Sequence, residues 1–255
     1  ILNSDTVIRV NALKVSLDEH RELEKTEKVG LYSCQLKGFD DIIQYNSNIS
    51  FPTLKKYLYN NSIAIKLGKK DPHKLSENEK LELHQKFHET CWIGIVFGII
   101  NAKIFREEGL YFDEDIFMYS DEVEWCLRLK ELGYKHYFSA DATIYHVNSG
   151  SSVFSEWRFG QITLSEWMYF MKVKGKLGYI FIISSILINH IIDFLFSFKS
   201  KLLGRKEIES EVEAKTRRGQ EWELIRKYFF VILLKYKAFP SSGKSYLKYL
   251  YNPNK

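Results

Sequence analysis

Three carboxylates, Asp121, Glu122 and Glu124, stand within four positions, directly after an aromatic run that includes Phe112, Phe117 and Tyr119. A helix-period apolar pattern follows. Val123, Cys126 and Leu127 fall on one stripe, Trp125, Leu129 and Leu132 on the adjoining one, and Gly133 sits where a left-handed C-terminal cap belongs. The spacing predicts a helix whose positive dipole end collects the acids. Two uses are open for them. Asp121 as N-cap with Glu124 three residues on is a capping-box arrangement and requires no chemistry. Glu122 is not needed for a cap, and a carboxylate in the first turn beside aromatic walls can accept a proton from a hydroxyl bound above it. Neither carboxylate needs a raised pKa to be ionised at neutral pH.

The elements around the acids extend the pattern. Gly109, Asp113 and Glu114 precede them, Arg128 lies six residues after Glu122, and Gly133-Tyr134 leads through an alternating stretch to His146. The segment from Glu108 to His146 resembles the acceptor-side signature of GT-A family 2 glycosyltransferases. The family's doublet runs Glu-Asp and here runs Asp-Glu, which aligns Glu122 with the family's base and keeps Asp121 as the alternative. Ile1 to Thr6, "ILNSDT", resembles that family's strand-end element carrying a metal-binding Asp. The resemblance implies that Asp5, with Asn3 as the weaker partner, binds Mg²⁺ or Mn²⁺ at a sugar-nucleotide diphosphate. Hard cations of this kind take oxygen ligands and leave positions for phosphate. Read alone, Asn3-Ser4-Asp5 is also an ordinary turn after a strand. His146 matches the family His that contacts the metal or the diphosphate; a lone His at a strand end is otherwise structural. Because a nucleotide-binding half precedes this element in the family, the chain reads as starting inside such an enzyme.

The implied fold is α/β: a Rossmann-like GT-A domain, represented by its acceptor-side portion over residues 1–154, with a helical, membrane-associated region over 155–255. Residues 11–28 read as a charged helix with Leu13, Leu17 and Leu23 inward, and Val29–Cys34 as a strand. Ser76–His88 reads as a helix opened by a Ser76/Glu79 capping box. The apolar run Cys91–Ile100 reads as the central strand, and Tyr134–Phe138 and Ala142–His146 as two short ones. The resemblance implies Trp92, Gly94 and Trp125 as acceptor-side residues. Gly94 permits close approach, and Trp92 serves either as a sugar platform or in the core. His84 and His88, with His73 upstream, lack a third ligand at metal spacing and read as solvated helix surface.

Composition limits the partners. A net charge of +5 is modest, and Lys and Arg gather after residue 170 beside the most apolar segment. That favours an anionic membrane surface over nucleic acid. Cys34, Cys91 and Cys126 suggest neither a disulfide framework nor a zinc site, and read as buried thiols in a reducing cytoplasm. Trp157, Phe159 and Trp167–Met171 suggest an interfacial helix surface. Tyr179–Phe198 has one charge, Asp193, and is long enough to span a bilayer, although Asn189, His190 and Asp193 would be costly there. A helix in the membrane interface is expected, flanked by Lys172, Lys174, Lys176, Lys199, Lys201, Arg205 and Lys206, with a single span as runner-up. The expected enzyme is cytoplasmic and peripheral on the inner face of the plasma membrane. It would transfer a sugar from a nucleoside-diphosphate donor to a lipid-linked or cell-surface glycan, with inversion. The alternative is a non-catalytic membrane-associated scaffold or binding domain.

Overall fold

The computed structural model describes residues 1–60, 74–116, 118–147, 156–202, 219 and 222–226. His73, Phe117, the loop 148–152, the charged stretch 207–218 and the apolar patch 229–234 lie outside the described residues. The chain forms two compact units. One holds Ile1–Phe51, Leu75–Asp113 and Ser120–Val153; the other holds Pro52–Lys74, Glu114–Tyr119 and Phe154–Lys255.

In the first unit a mixed five-stranded sheet is built on β7 (Lys135–His146), which follows the order β1-β7-β2-β3. The 12 residues of β7 run parallel to β2 (Val29–Lys37) along one edge. The other edge is shared. β5 (His88–Thr90) pairs antiparallel near its start, and β1 (Thr6–Ile8) pairs antiparallel at its end. β3 (Ile43–Gln44) closes the far side of β2, and a separate ribbon joins β4 (Ser47–Asn48) to β6 (Trp92–Ile93). The two short strands expected at 134–138 and 142–146 are one strand, with a register shift opposite Cys34 and Gln35. Such an irregularity re-aims the residues that follow it.

The central strand is β2, buried through eight of its nine residues, as expected of a strand with parallel pairing and both faces covered. The run Cys91–Ile100, expected to fill that place, is mostly a strap. Only β6 is strand, followed by single bridges Leu2–Phe97 and Tyr32–Ile99. Gly98 is the reason it lies so tightly: a Cβ there would come within 2.8 Å of Leu31 Cδ1.

The helices also depart from simple hydrophobic patterning. In α1 (Ala12–Leu23) the inward stripe is Ala12, Ser16 and His20, while Leu13 is exposed. The small side chains of Ala12 and Ser16 permit close approach to the sheet, which turns the helix one position away from its leucines. α3 (Glu77–Leu83) has the expected capping box, with both reciprocal hydrogen bonds, but stops before His84. α4 (Lys103–Arg106) is a single turn. α5 (Asp121–Glu131) buries Val123, Trp125, Cys126 and Leu129 as predicted but leaves Leu132 exposed, and it ends at Gly133, whose φ of +83° is the expected left-handed C-terminal residue.

In the second unit, α2 (Leu54–Asn60) accompanies α6 (Glu156–Leu202), which is broken at Gly175 (φ 70°, ψ −173°). Trp167–Met171, expected at a membrane interface, are buried in protein. Tyr57 meets Phe170 edge-on at 5.4 Å, and the Tyr169 hydroxyl donates to Pro52 O. Lys172, expected among exposed basic residues, is buried with its Nζ 3.2 Å from Asp115 Oδ2. Gln161 and Ser165 donate to Met118 O. The stretch Gly160–Ile192 is long and apolar enough to cross a membrane.

Candidate functional site

The acids at the start of α5 are not used as a cap. Ser120 occupies the N-cap position with φ 59° and makes no side-chain cap bond, and Tyr119 before it has φ 63°. Two successive non-glycine residues in the left-handed region store strain at the turn that delivers the acids. Asp121 is therefore the first helical residue, and the capping box is not formed. Glu124 instead holds Arg128 in a two-pronged contact, Nε–Oε1 at 3.1 Å and Nη2–Oε2 at 2.9 Å, and Arg128 also donates to Tyr111 O. Glu124 is thereby withdrawn from the acid cluster.

Glu122 and Asp121 remain, and they form a coupled pair. Burial pushes the Glu122 carboxyl up to about 8, the neighbouring Asp121 charge adds to the rise, and a hydrogen bond with Asp121 adds further. This overturns the expectation that both are ionised at neutral pH. Two carboxyls this close titrate as a pair, with burial favouring the protonated form of Glu122.

The second cluster brings together residues from opposite ends of the first unit. The register Thr6↔His146 places Asp5 beside the end of β7, where Val147 N–H donates to Asp5 O. Asp5 Oδ2 stands 3.2 Å from His146 Nε2. Gln44 fixes the ring: its Nε2 donates to His146 O at 3.0 Å, so its Oε1 faces Nδ1 at 2.7 Å and must accept a proton from it. With the proton on Nδ1, the Nε2 lone pair of a neutral ring would face the Asp5 carboxylate. Two acceptors at this distance need a cation between or beside them, either a proton or a metal ion. Asn3 lies at the preceding turn, its peptide N–H on Val96 O and its carbonyl accepting from Thr6 Oγ1, so the turn and the site coexist.

As a metal site the cluster supplies one carboxylate oxygen and one imidazole nitrogen, a donor set that suits Mn²⁺ better than Mg²⁺. A carbonyl such as that of Gln44 on Nδ1 is the usual way a ligating ring is oriented. Among the described residues no three His, Cys, Asp or Glu side chains gather to hold a metal ion.

On the acceptor side the placements diverge. Trp92 is half-buried, packed against the core cluster, with its indole N–H on Ser50 O. Gly94 is not required by any internal approach, since a Cβ there would meet only Asn46, at 3.9 Å or more. Trp125 has no exposed surface. It stacks on Phe112 and Phe105 at 4.7 and 5.8 Å and donates to Leu110 O, so it seats α5 rather than meeting a sugar.

The histidines near residue 84 have structural work that periodicity does not reveal. His84 is buried, not solvated. Its Nδ1 donates to Lys80 O, and its Nε2 accepts the peptide protons of Asn46 and Ser47. His88 begins β5, with Nε2 2.7 Å from Ser47 Oγ. Gln44, the residue that orients His146, carries no sequence signal, because its partner lies 102 residues away.

No protein-family model matches the chain, and no curated protein matches it.

Proposed function

We propose that the chain is a glycosyltransferase of the GT-A, family 2 kind, moving a sugar with inversion from a nucleoside-diphosphate donor to a hydroxyl of a lipid-linked or cell-surface glycan. The observation that carries this reading is the pairing of Asp5 with His146, oriented by Gln44. An Asp and a His singled out as ligands on a resemblance alone stand 3.2 Å apart in the fold.

The chemistry follows from the residues. The acceptor hydroxyl gives its proton to the Asp121–Glu122 pair in its charged form, its oxygen bonds to the anomeric carbon, and the bond from that carbon to the diphosphate breaks. A base with a raised pKa is better matched to an alcohol than an ordinary carboxylate would be. Asp5 and His146 would hold Mg²⁺ or Mn²⁺, which when bound supplies charge neutralisation at the leaving diphosphate. The strained turn at Tyr119 and Ser120 fixes where the acid pair points. The enzyme works at the cytoplasmic face of the membrane, where lipid-linked acceptors lie, without nucleic acid as a partner.

A non-catalytic, membrane-associated scaffold is the competing reading. The observation in its favour is the exposed apolar face of α6, which needs no chemistry. Mn²⁺-dependent binding of a panel of nucleotide sugars to the protein decides between them. The transferase reading expects saturable binding of one donor, lost in Asp5→Asn and retained in Glu122→Gln, with turnover lost in both. Binding of no donor would leave the scaffold.

A further inference from the structure

Beyond Gly175 the helix α6 has two apolar faces in different surroundings. Tyr179, Ile182, Ile183 and Ile186 are buried, whereas Leu177, Ile180, Phe181, Ile188 and Ile191 are exposed, Leu177 at 81% and Ile191 at 60%. With the exposed Ser184 among them, the outward positions recur every three or four residues and form one stripe about 100° wide. A contiguous exposed apolar surface of this kind marks an interaction face.

The charges identify the partner. No charged residue lies between Lys176 and Asp193. Lys174 and Lys176 are exposed at one end of the stripe, and the sequence places Lys199, Lys201, Arg205 and Lys206 beyond the other. Basic groups at both ends suit a helix whose two ends face the same anionic surface. A span would send one cluster across the bilayer, against the bias that keeps Lys and Arg on one side. The opposite face is buried in protein and cannot also meet lipid. The left-handed Gly175 makes this geometry available, because it breaks the helix between the segment carrying Lys172 and the segment carrying the stripe.

We infer that the segment Leu177–Ile192 lies in the plane of an anionic bilayer, with Leu177, Phe181, Ile188 and Ile191 among the acyl chains and Lys174 and Lys176 at the level of the phosphates. The inference rests on the membrane association in the reading above but not on its chemistry.

The test is flotation of the full chain with phosphatidylcholine vesicles, prepared with and without phosphatidylserine. Binding is expected only with phosphatidylserine present, weakened by salt and released by alkaline carbonate. Ser184→Asp puts a charge in the middle of the stripe at a position already polar and exposed, so the fold is kept. It is expected to lower binding about tenfold at unchanged circular dichroism, and Phe181→Asp by at least as much. The inference fails if both variants float like the parent chain, or if the protein resists carbonate as a span does. It also fails if the stripe joins two copies, seen as a vesicle-free dimer that Phe181→Asp dissolves. The vesicles carry neither donor nor acceptor, so failure here and failure of the transferase reading are separate results.

Discussion

Gln44 Oε1 accepts a hydrogen bond from His146 Nδ1–H at 2.7 Å and so turns Nε2 toward Asp5. The amide's direction is set by its own bond to His146 O, which makes Gln44 a positioning residue rather than a ligand. Gln44→Leu removes the orienting carbonyl and keeps the shape. It should weaken Mn²⁺ and donor binding by about 10- to 100-fold while leaving the thermal midpoint within a few degrees. Isothermal titration with Mn²⁺ measures this, and unchanged affinity would leave the imidazole without a ligand role.

Glu122 gives the pH dependence of the proposed transfer. The rate should rise with pH and level off above about 8, the value to which burial and Asp121 push the Glu122 carboxyl. Asp121→Asn removes the neighbouring charge and should move that inflection down. A pH–rate profile of the two proteins checks both statements, with the apparent value belonging to the pair.

The same shift bears on stability. The folded pKa of Glu122 lies above its ordinary value of 4.5, so the folded state binds more protons between 4.5 and about 8, and stability falls as pH rises through that window. Glu122→Gln removes the loss and should stabilise the protein at pH 8, on the order of 1 kcal/mol, in urea unfolding. A destabilised variant would contradict the buried-acid account.

Four histidines act in the opposite sense. Burial lowers His20, His84, His88 and His136, the last from 6.5 to about 4. Each is neutral when folded and gains a proton more readily when unfolded, so their contribution is complete above pH 6.5 and is lost as pH falls toward 4. Thermal melts should show the midpoint dropping across that range, and His136→Gln should flatten the drop.

His136 also explains a glycine. A Cβ at Gly30 would stand 2.8 Å from His136 Cε1 and 2.9 Å from Nδ1, so the ring occupies the space a side chain would need. Gly30→Ala should cost about 1–3 kcal/mol by overpacking. In a His136→Ala background most of that cost should vanish, which a double-mutant cycle reads directly.

Lys172 and Asp115 form the most buried ion pair described, at 3.2 Å, with both side chains almost wholly out of solvent. Lys172→Met removes this counter-charge from Asp115 and should cost about 3–5 kcal/mol. Adding Asp115→Leu should recover much of it. Equal instability of the single and double variants would show that the pair is not what holds that segment.

Local determinants of the fold are legible in the sequence, and distant ones are not. The start and end of α5, the capping box of α3 and the strand expected at 29–34, which runs on to Lys37, are written in adjacent residues, and the structure has them. Arg128 is legible as part of a motif, yet its pairing with Glu124 is not, and Ser120, in the left-handed region, makes no side-chain cap bond. The strap 91–100 is apolar enough for a central strand, but it meets β2 only at the single Tyr32–Ile99 bridge and leaves the extended pairing to β7. Trp167–Met171 and Lys172 looked interfacial because composition cannot tell a lipid-facing aromatic from one packed in protein. The Asp5–His146 pair was suggested only by resemblance, and Gln44 by nothing, since its role depends on the order of strands.

β1 contributes only three residues, at the edge of its sheet, and the turn just before it brings Asp5 to His146. Short edge segments open at the low end of a protein's local stabilities, so docking of this strand and filling of the cluster are one coupled equilibrium. Any ligand that bridges the two side chains holds the strand down, and its apparent affinity is scaled by the fraction of molecules in which the strand is already seated. The Val147 amide, hydrogen-bonded to Asp5 O at 3.0 Å, becomes a built-in gauge, its hydrogen-exchange rate falling as the cluster fills.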